Sequence, residues 1–336
     1  MKVADIGEFG LIAHIAEMVK KNSSRASTAW KHLCLGIGDD AAAWSTGKSI
    51  NLATTDIMIE GVHFDLKYTG WYDLGWKSIA SNISDIAAMG GVPLYALVSL
   101  ALPGDIEVKD ITDLYRGMIG AAECWQAVIG GGNISFSQHV IISVTLLGRA
   151  AGSKLLTRSS ARKGDCVAIT GYPGLSAAGY EILRHKSRMR PNVKKIMLDT
   201  HLRPQPRVEE GKILLRNGVR SAIDTSDGLV ADLMHLCEAS RVSAAIYESS
   251  IPVHPFLAEY FPEKCLEMAL TGGEDYELLF TATKTVIDRV RNRLACPFSV
   301  IGEITSGTPG EVKIYDRQGK SINLETTGWD HYRSRS

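Results

Sequence analysis

Paired cysteines are missing from this chain. Its six cysteines are scattered, and none forms a Cys-x-x-Cys pair or part of a regular pattern. Structural zinc sites and disulfide frameworks are built from such pairs, so the sequence predicts neither. Unpaired thiols of this kind suit a reducing compartment, and we expect the protein to be cytoplasmic.

Long apolar runs and an excess of charge are missing as well. The first residues, MKVADIGEFGLIAHIAEMVKK, interrupt their apolar positions with charged side chains. A signal peptide needs an unbroken apolar stretch, and a membrane span needs about 20 such residues. The 37 basic residues balance 37 acidic ones, which gives no reason to expect a nucleic acid or a membrane surface as partner. Any anionic ligand must therefore be held by local groups.

A P-loop is the third absence. No Gly-x-x-x-x-Gly-Lys-Ser/Thr motif occurs, and the segment GYPGLSAAG has no lysine that could neutralise the β- and γ-phosphates of a nucleotide. We therefore expect this segment only to open a helix.

The length and the order of the apolar segments predict the fold class. At about 100 to 200 residues per domain, the 336 residues predict two domains, which we place at 1–150 and 151–336. Strand-like and helical patterns alternate in both, which indicates an α/β (α+β) class. The segment LTGGEDYELLFTAT is expected to form a strand, an acidic turn and a second strand. In the first domain we expect helices over 73–89 and 110–125, strands over 94–103 and 139–150, and a glycine-rich loop over 130–137.

What the chain does contain is a set of acidic residues in short clusters flanked by glycine, serine or threonine. Each cluster alone could be an Asx turn or a helix cap. Several of them in one chain of neutral charge favour a carboxylate-built magnesium site, because magnesium sits between a few carboxylates and the phosphates of a nucleotide. The sequence therefore predicts phosphoryl transfer. The acids are Asp39, Asp40, Asp56, Asp85, Asp224, Asp227, Glu274 and Asp275.

A few other residues are candidates with a structural alternative left open. The glycines before Asn133 offer backbone N–H groups to phosphate oxygens, although glycine runs are also plain turns. Arg158, in a serine-rich turn, can grip phosphate bidentately. His63 is more often a structural hydrogen-bonder than a catalyst, and Tyr115 and Trp329 can be core aromatics or stacking platforms.

Several motifs carry a resemblance to a known family. They run in order from GIGDDAA, TTDIMIEGVHF and SIASNISDIAAMGGVP through LTRSSARKGD and IDTSDGL to LTGGEDYELLF and the closing GWDH. Together they resemble the thiamine-monophosphate kinases. The resemblance implies the two-domain architecture shared with aminoimidazole ribonucleotide synthetase and selenophosphate synthetase. It also implies a homodimer that pairs through the sheets of the N-terminal domains.

The resemblance further implies an activity and a set of residue roles. The family transfers the γ-phosphoryl group of ATP directly, in line, to thiamine monophosphate, giving thiamine diphosphate and ADP with the help of several Mg²⁺ ions. Asp56, Asp85, Arg158 and Asp227 would carry the catalysis. The implied magnesium ligands are Asp40, Thr54, Thr55, Asp56, Asp85, Asp224 and Asp227; the implied ATP contacts are Tyr115, Gly131, Gly132, Asn133, Arg158 and Ser226; the implied acceptor contacts are His63, Glu274 and Trp329.

One position departs from the family pattern. The family's Gly-Gly-Asp-Thr loop reads Gly131-Gly132-Asn133-Ile134 here, so a neutral amide replaces a metal-binding carboxylate. This leaves two alternatives to the kinase. One is a divergent protein that binds nucleotide or thiamine phosphate with impaired turnover, and the other is a kinase with a different acceptor.

Overall fold

The chain folds into two β-sheets with helices packed on them, which confirms the predicted α/β class. The structure is a computed structural model, and it describes residues 3–21, 28–185, 188–324 and 327–328. Trp329, one of the implied acceptor contacts, lies outside these residues. Among the helices that are described, none combines enough length with enough apolar character to cross a bilayer.

The elements alternate along the chain. The helices are α1 (Val3–Lys21), α2 (Thr28–His32), α3 (Trp71–Ala88), α4 (Val108–Cys124), α5 (Leu175–Arg184), α6 (Pro191–Leu202), α7 (Val208–Arg216), α8 (Leu229–Ser240), α9 (Pro255–Tyr260), α10 (Cys265–Thr271) and α11 (Lys284–Arg291). The strands are β1 (Leu33–Leu35), β2 (Ala42–Thr46), β3 (Ser49–Ile59), β4 (Gly91–Leu102), β5 (Val128–Phe136), β6 (Ile141–Ala150), β7 (Cys166–Thr170), β8 (Ser221–Asp224), β9 (Ser243–Tyr247), β10 (Leu278–Ala282), β11 (Phe298–Thr305), β12 (Val312–Tyr315) and β13 (Ser321–Ile322).

The first sheet has six strands in the order β1-β2-β3-β6-β4-β5. Strand β6 pairs antiparallel with both β3 and β4, and β5 pairs parallel with β4 at the edge. Because side chains alternate between the faces of a strand, Ile142, Val144 and Leu146 of β6 all point into the core and are buried. Helices α3 and α4 cover this inner face. The opposite, outer face has no helix of the described residues packed on it.

Helices α3 and α4 pack unusually closely because each has a glycine where it crosses the other. A Cβ on Gly75 would lie 1.9 Å from the carbonyl oxygen of Leu114, and a Cβ on Gly117 would lie 1.8 Å from the carbonyl oxygen of Tyr72. Both distances are far below van der Waals contact. Only glycine lets the two helix backbones approach in this way, and the contact fixes the position of α3.

The second sheet has seven strands in the order β13-β12-β9-β11-β7-β10-β8. Its apolar residues pack against α8 and α10, with Ile169, Leu233 and Ile246 among the fully buried side chains. Helix α3 also contacts β8 and α7, so it lies between the two sheets. Strand β6 ends at Ala150 and the next sheet strand begins at Cys166; the domain boundary after residue 150 stays a prediction.

The predicted helices over 73–89 and 110–125 are confirmed as α3 and α4, but two sequence predictions are wrong. Most of the expected loop over 130–137 is strand β5, with a register shift against β4 near Gly131. Here the glycines serve strand packing, since a Cβ on Gly132 would lie 1.8 Å from the carbonyl oxygen of Val98. The segment before the acidic turn at Glu274 is helix α10, not a strand.

Candidate active site

Three carboxylates from distant parts of the chain meet between the two sheets. Asp40 follows a turn before β2, Asp85 lies on the last turn of α3, and Asp224 ends β8. Each offers one oxygen atom, and these oxygens all lie within 4.8 Å of one another. Carboxylate oxygens at this spacing form a set that a hard divalent cation could bind. We call Asp40, Asp85 and Asp224 the acidic cluster.

Arg158 closes one side of the acidic cluster. Its Nη2 and Nε donate to Oδ1 of Asp40 at 2.5 and 3.1 Å, and its backbone N–H donates to the carboxylate of Asp39 at 3.3 Å. The other Asp40 oxygen, Oδ2, is buried and has no hydrogen-bond partner within the described part of the chain. A buried carboxylate oxygen without a donor costs stability. A bound cation would coordinate this Asp40 oxygen, so the residues present fit a metal ion.

Two hydroxyl groups hold the remaining carboxylates in place. The Thr54 hydroxyl donates to Oδ2 of Asp85 at 2.5 Å, and the Ser84 hydroxyl donates to Oδ2 of Asp224 at 2.6 Å. The structure thus brings Thr54 into the site as a donor to Asp85. Ser84 is a residue that the sequence did not single out.

Burial, and then the crowding of like charges, raises the pKa of these acids. Burial raises the pKa of Asp85 well above its ordinary value, and the negative charges of Asp56, Asp224 and Asp40 raise it further. Burial and then Asp40 raise the pKa of Asp224 to about 8. The pKa of Asp39 rises to about 7 for the same two reasons. Acids that repel each other this strongly favour a cation among them.

Asp56 and Thr55 lie on opposite faces of β3. Burial raises the pKa of Asp56, which a hydrogen bond from Ser81 partly offsets, and Asp56 is close enough to Asp85 to raise the pKa of that residue. The exposed Thr55 instead donates to the carbonyl oxygen of Val144 at 3.1 Å. Strand alternation explains the difference. The structure does not bring Thr55 to the acidic cluster.

The turn between β8 and α8 is organised by an aspartate that sequence reasoning missed. Asp232, which is buried in the first turn of α8, accepts hydrogen bonds from the backbone N–H groups of Asp227 and Gly228 at 3.2 and 3.0 Å. The carbonyl oxygen of Ser226 accepts from the N–H of Glu274 at 2.8 Å. Ser226 and Asp227 are therefore held beside Asp224, with the Glu274 turn packed against them.

Glu274 lies at the centre of a second group of polar residues. Its Oε2 is 2.8 Å from Nζ of Lys77 and 3.6 Å from Nδ1 of His201. Burial alone would raise the pKa of Glu274, but the positive charge of Lys77, with a smaller contribution from His63, lowers it below its ordinary value. His63 itself accepts a hydrogen bond from the N–H of Ile59 at 3.0 Å. His63 and Glu274, both predicted acceptor contacts, are thus brought together.

The predicted nucleotide contacts in the first domain are not brought to the acidic cluster within one chain. Gly131, Gly132 and Asn133 lie on the exposed edge strand β5, three strands away from β3. At about 4.8 Å per strand this separates Asn133 from Asp56 by roughly 14 Å. Tyr115 is partly buried against the hydrophobic core between the first sheet and helices α3 and α4. The segment predicted to be a phosphate-binding loop is therefore an edge strand. Its close pairing with β4 requires glycine at position 132, where a Cβ would collide with the backbone of Val98.

Comparisons with known proteins show the family to which the chain belongs. Sequence models described as AIR synthase related protein match at residues 38–150 for the N-terminal domain and 162–315 for the C-terminal domain. The thiamine-monophosphate kinase of Bacillus subtilis (strain 168) is 35% identical, over 97% of this chain and 99% of its own length. That of Aquifex aeolicus (strain VF5) is 36% identical, over 99% and 100%. The chain belongs to the thiamine-monophosphate kinase family.

A solved structure also places the chain in the thiamine-monophosphate kinase family. It is described as AaThiL complexed with AMPPCP and TMP, and it matches with a TM-score of 0.85 at 35% identity, covering 98% of this chain and 99% of that one. The predicted family and its two-domain AIR synthase-like fold are confirmed.

Some residues of this thiamine-monophosphate kinase site could not be read from motifs. Lys77 and His201 act on the site through Glu274, which lies far along the chain from both. Asp232 acts locally, through the backbone of Asp227 and Gly228. A signal for Lys77 was present, since it occupies the apolar face of a helix where a lysine is unusual. His201 and Asp232 gave no comparable signal.

Proposed function

We propose that the protein transfers the γ-phosphoryl group of ATP to thiamine monophosphate, producing thiamine diphosphate and ADP. The observation that carries this proposal is the buried acidic cluster of Asp40, Asp85 and Asp224, in a chain of this family. The matching solved structure is complexed with AMPPCP, an ATP analogue, and TMP, which supports both the nucleotide and the acceptor.

Magnesium is the cation that suits the acidic cluster. The cluster offers oxygen ligands, and the unpartnered Oδ2 of Asp40 is a position that a hard cation would satisfy. Asp40, Asp85 and Asp224 would hold it, with Asp56 and Asp227 beside them. When bound, Mg²⁺ supplies charge neutralisation and orientation of the polyphosphate. Thr54 holds the carboxylate of Asp85 ready for this role.

Arg158 supports the transfer from the side of the acidic cluster. Two of its N–H groups donate to Asp40, and the other N–H groups of the guanidinium, which bond to no other side chain within the described ranges, can donate to phosphate oxygens. A guanidinium held rigidly by a buried carboxylate costs no reorganisation when charge develops on the transferred group. The phosphate of the acceptor is itself the nucleophile in this proposal. Positioning and electrostatics then provide the catalysis, as in other phosphoryl transfers.

The acceptor is recognised near Glu274. The thiazolium ring of thiamine monophosphate is cationic, and the lowered pKa of Glu274 keeps its carboxylate negatively charged at neutral pH. His63 lies on the same side of the site. Trp329 remains a predicted stacking partner for the ring.

The protein is proposed to act as a homodimer. Large apolar side chains are exposed on the outer face of the first sheet and on its edge strand, and apolar surface of this extent is typical of an interface. A second copy covering this face would lie against Thr55 and Asn133, which the single chain leaves away from the acidic cluster. The exposed side chains are Ile57, Tyr95, Leu97, Val128, Ile134 and Phe136.

The cytoplasm is the proposed compartment. All six cysteines are free thiols in the structure, and one of them, Cys237, is fully buried as a small apolar side chain. Free thiols persist in a reducing compartment.

The test of the proposed function is a magnesium-dependent assay of the purified protein with ATP and thiamine monophosphate, in which thiamine diphosphate and ADP are resolved directly. We expect equal amounts of both products. Asp56→Ala should lower turnover at least about a hundredfold, which corresponds to about 2.7 kcal/mol of transition-state stabilisation. Near-normal turnover of Asp56→Ala would contradict the assignment of the metal site.

A companion variant addresses the impaired-site alternative. Asn133→Asp restores the carboxylate of the family pattern. If the wild type binds both ligands but gives no product, and Asn133→Asp gives product at a clearly higher rate, the divergent binding protein is the better description. Turnover by the wild type itself would show that the amide is tolerated.

A further inference from the structure

Lys77 is a buried lysine at the junction of the two sheets. It lies on α3, its side chain is only 5% exposed, and its Nζ is 2.8 Å from Oε2 of Glu274. Lysine is almost never buried unless it is paired, because removing an ammonium from water is costly. The ammonium and the Glu274 carboxylate therefore determine each other's position.

The backbone of Glu274 is fixed independently of Lys77. Its φ of 64° lies in the left-handed region, which a residue with a side chain seldom adopts. The N–H of Glu274 donates to the carbonyl oxygen of Ser226 at 2.8 Å, and a Cβ on Gly273 would lie 2.6 Å from that same oxygen. The turn is thus held against the segment that follows Asp224. What remains to be set is the direction of the Glu274 side chain.

Lys77, not His201, sets that direction. Nδ1 of His201 lies 3.0 Å from the Ser176 hydroxyl and 3.6 Å from Oε2 of Glu274. Burial, and then the charge of Lys77, lowers the pKa of His201 to about 3, so the imidazole is neutral at neutral pH. A neutral ring beyond hydrogen-bond distance orients a carboxylate weakly. The ammonium at 2.8 Å is the stronger partner.

A comparison with Glu277, three residues further along the chain, separates positioning from simple structural pairing. Glu277 receives two hydrogen bonds from Arg207, at 2.6 and 2.5 Å, and a third from Thr170 at 2.6 Å. Both of its oxygens are occupied, and its side chain is 10% exposed. In Glu274 the contacts with Lys77 and His201 both fall on Oε2, and the side chain is 31% exposed. No residue in the described part of the chain donates a hydrogen bond to Oε1 of Glu274, which is left for a ligand.

We propose that Lys77 is a positioning residue for the acceptor: its ammonium holds the Glu274 carboxylate by one oxygen, so that the other faces the cationic ring of thiamine monophosphate. This role rests on the proposed function. Lys77 does not contact the acceptor itself, and it acts through Glu274. Because α3 also carries Asp85, the same helix positions the carboxylate for the ring and a carboxylate of the acidic cluster.

The test is a double-mutant cycle on Lys77→Met and Glu274→Gln, with the dissociation constant for thiamine monophosphate measured by titration calorimetry. We expect Lys77→Met to weaken binding about tenfold in the wild-type background and to have less than about a twofold effect in the Glu274→Gln background. The KM for ATP should change less than about twofold. Equal effects of Lys77→Met in both backgrounds, or an unchanged dissociation constant with a lowered Tm, would overturn the proposal.

Two further variants complete the design. Lys77→Gln can still donate to Oε2 without a charge, and it should give an intermediate loss of affinity; it also serves if Lys77→Met does not fold. Lys195→Met removes an exposed lysine that pairs with Asp199 on α6 and should leave both ligands unaffected. Binding without turnover in the wild type would refute the proposed function while the cycle still tests Lys77. Failure of the wild type to bind thiamine monophosphate would refute both.

Discussion

The buried carboxyl group of Asp275, next to Glu274, makes the stability of the folded protein depend on pH. It accepts hydrogen bonds from the backbone N–H groups of Gly174 and Ser176, at 2.6 and 2.9 Å, at the start of α5. Burial nevertheless raises its pKa from 3.8 to about 7. The folded state therefore binds this proton more tightly than the unfolded chain does. The contribution of Asp275 to the free energy of unfolding falls as pH rises from about 4 to about 7.

Asp275→Asn should remove this pH dependence. Relative to the variant, the wild type is expected to lose up to about 4 kcal/mol of unfolding free energy between pH 4 and pH 7. Urea unfolding of both proteins at a series of pH values measures the difference. Asp105→Asn, in an exposed loop, is the control and should follow the wild type. A constant difference between wild type and Asp275→Asn across this range would show that the carboxyl is not protonated in the folded state.

At the scale of single residues, sequence motifs identify a functional residue when the residues next to it in the sequence indicate its role. Asp40 follows a turn, Asp85 lies at a helix end and Asp224 at a strand end, each close to glycine, serine or threonine in the sequence, and the structure joins them. Lys77 and His201 acquire their roles only when α3, α6 and the Glu274 turn approach each other. A sequence pattern contains no distances between these elements. A lysine on the apolar face of α3 is a signal that Lys77 is unusual, but its pairing with Glu274 and the role of His201 could not be predicted.

The contact between α3 and α4 makes the strongest prediction at the scale of elements. Gly117→Ala would place a methyl group 1.8 Å from the carbonyl oxygen of Tyr72, so the helices must separate. Overpacking of this kind costs about 1 to 3 kcal/mol, or more where backbone must move. We expect a clear fall in Tm by calorimetry. Gly104→Ala meets nothing within 4 Å and should leave Tm nearly unchanged; a similar Tm for both variants would contradict close helix packing.

Periodicity predicts elements well where one face is buried and poorly where glycine dominates. The apolar positions of α3 and α4 predicted both helices. The sequence predicts a loop in place of strand β5 because Gly130, Gly131 and Gly132 have no side chains to show an alternation. Its strand conformation comes from pairing with β4, a tertiary contact that overrides local preference.

At the scale of the whole molecule, the exposed apolar side chains on the outer face of the first sheet predict that two copies of the chain associate. Leu97 lies on this face and is 44% exposed in the single chain. Leu97→Glu would place a charge in an interface between two copies, and we expect it to shift the protein from dimer to monomer in size-exclusion chromatography with light scattering. Val108→Glu alters a residue that is 82% exposed at the start of α4 and should not change the mass. A monomeric wild type would refute the proposed dimer.

The acidic cluster also joins segments that lie far apart along the chain. Ser84 and Asp224, which are hydrogen-bonded, are 140 residues apart, and Arg158 and Asp40 are 118 residues apart. Closing such long loops costs conformational entropy, so we expect these contacts to form late during folding. A cation bound there stabilises the native state more than the folding transition state. Bound magnesium would therefore increase the kinetic stability of the protein. It would slow unfolding and prolong the lifetime of the folded state, while the rate of refolding would stay nearly constant.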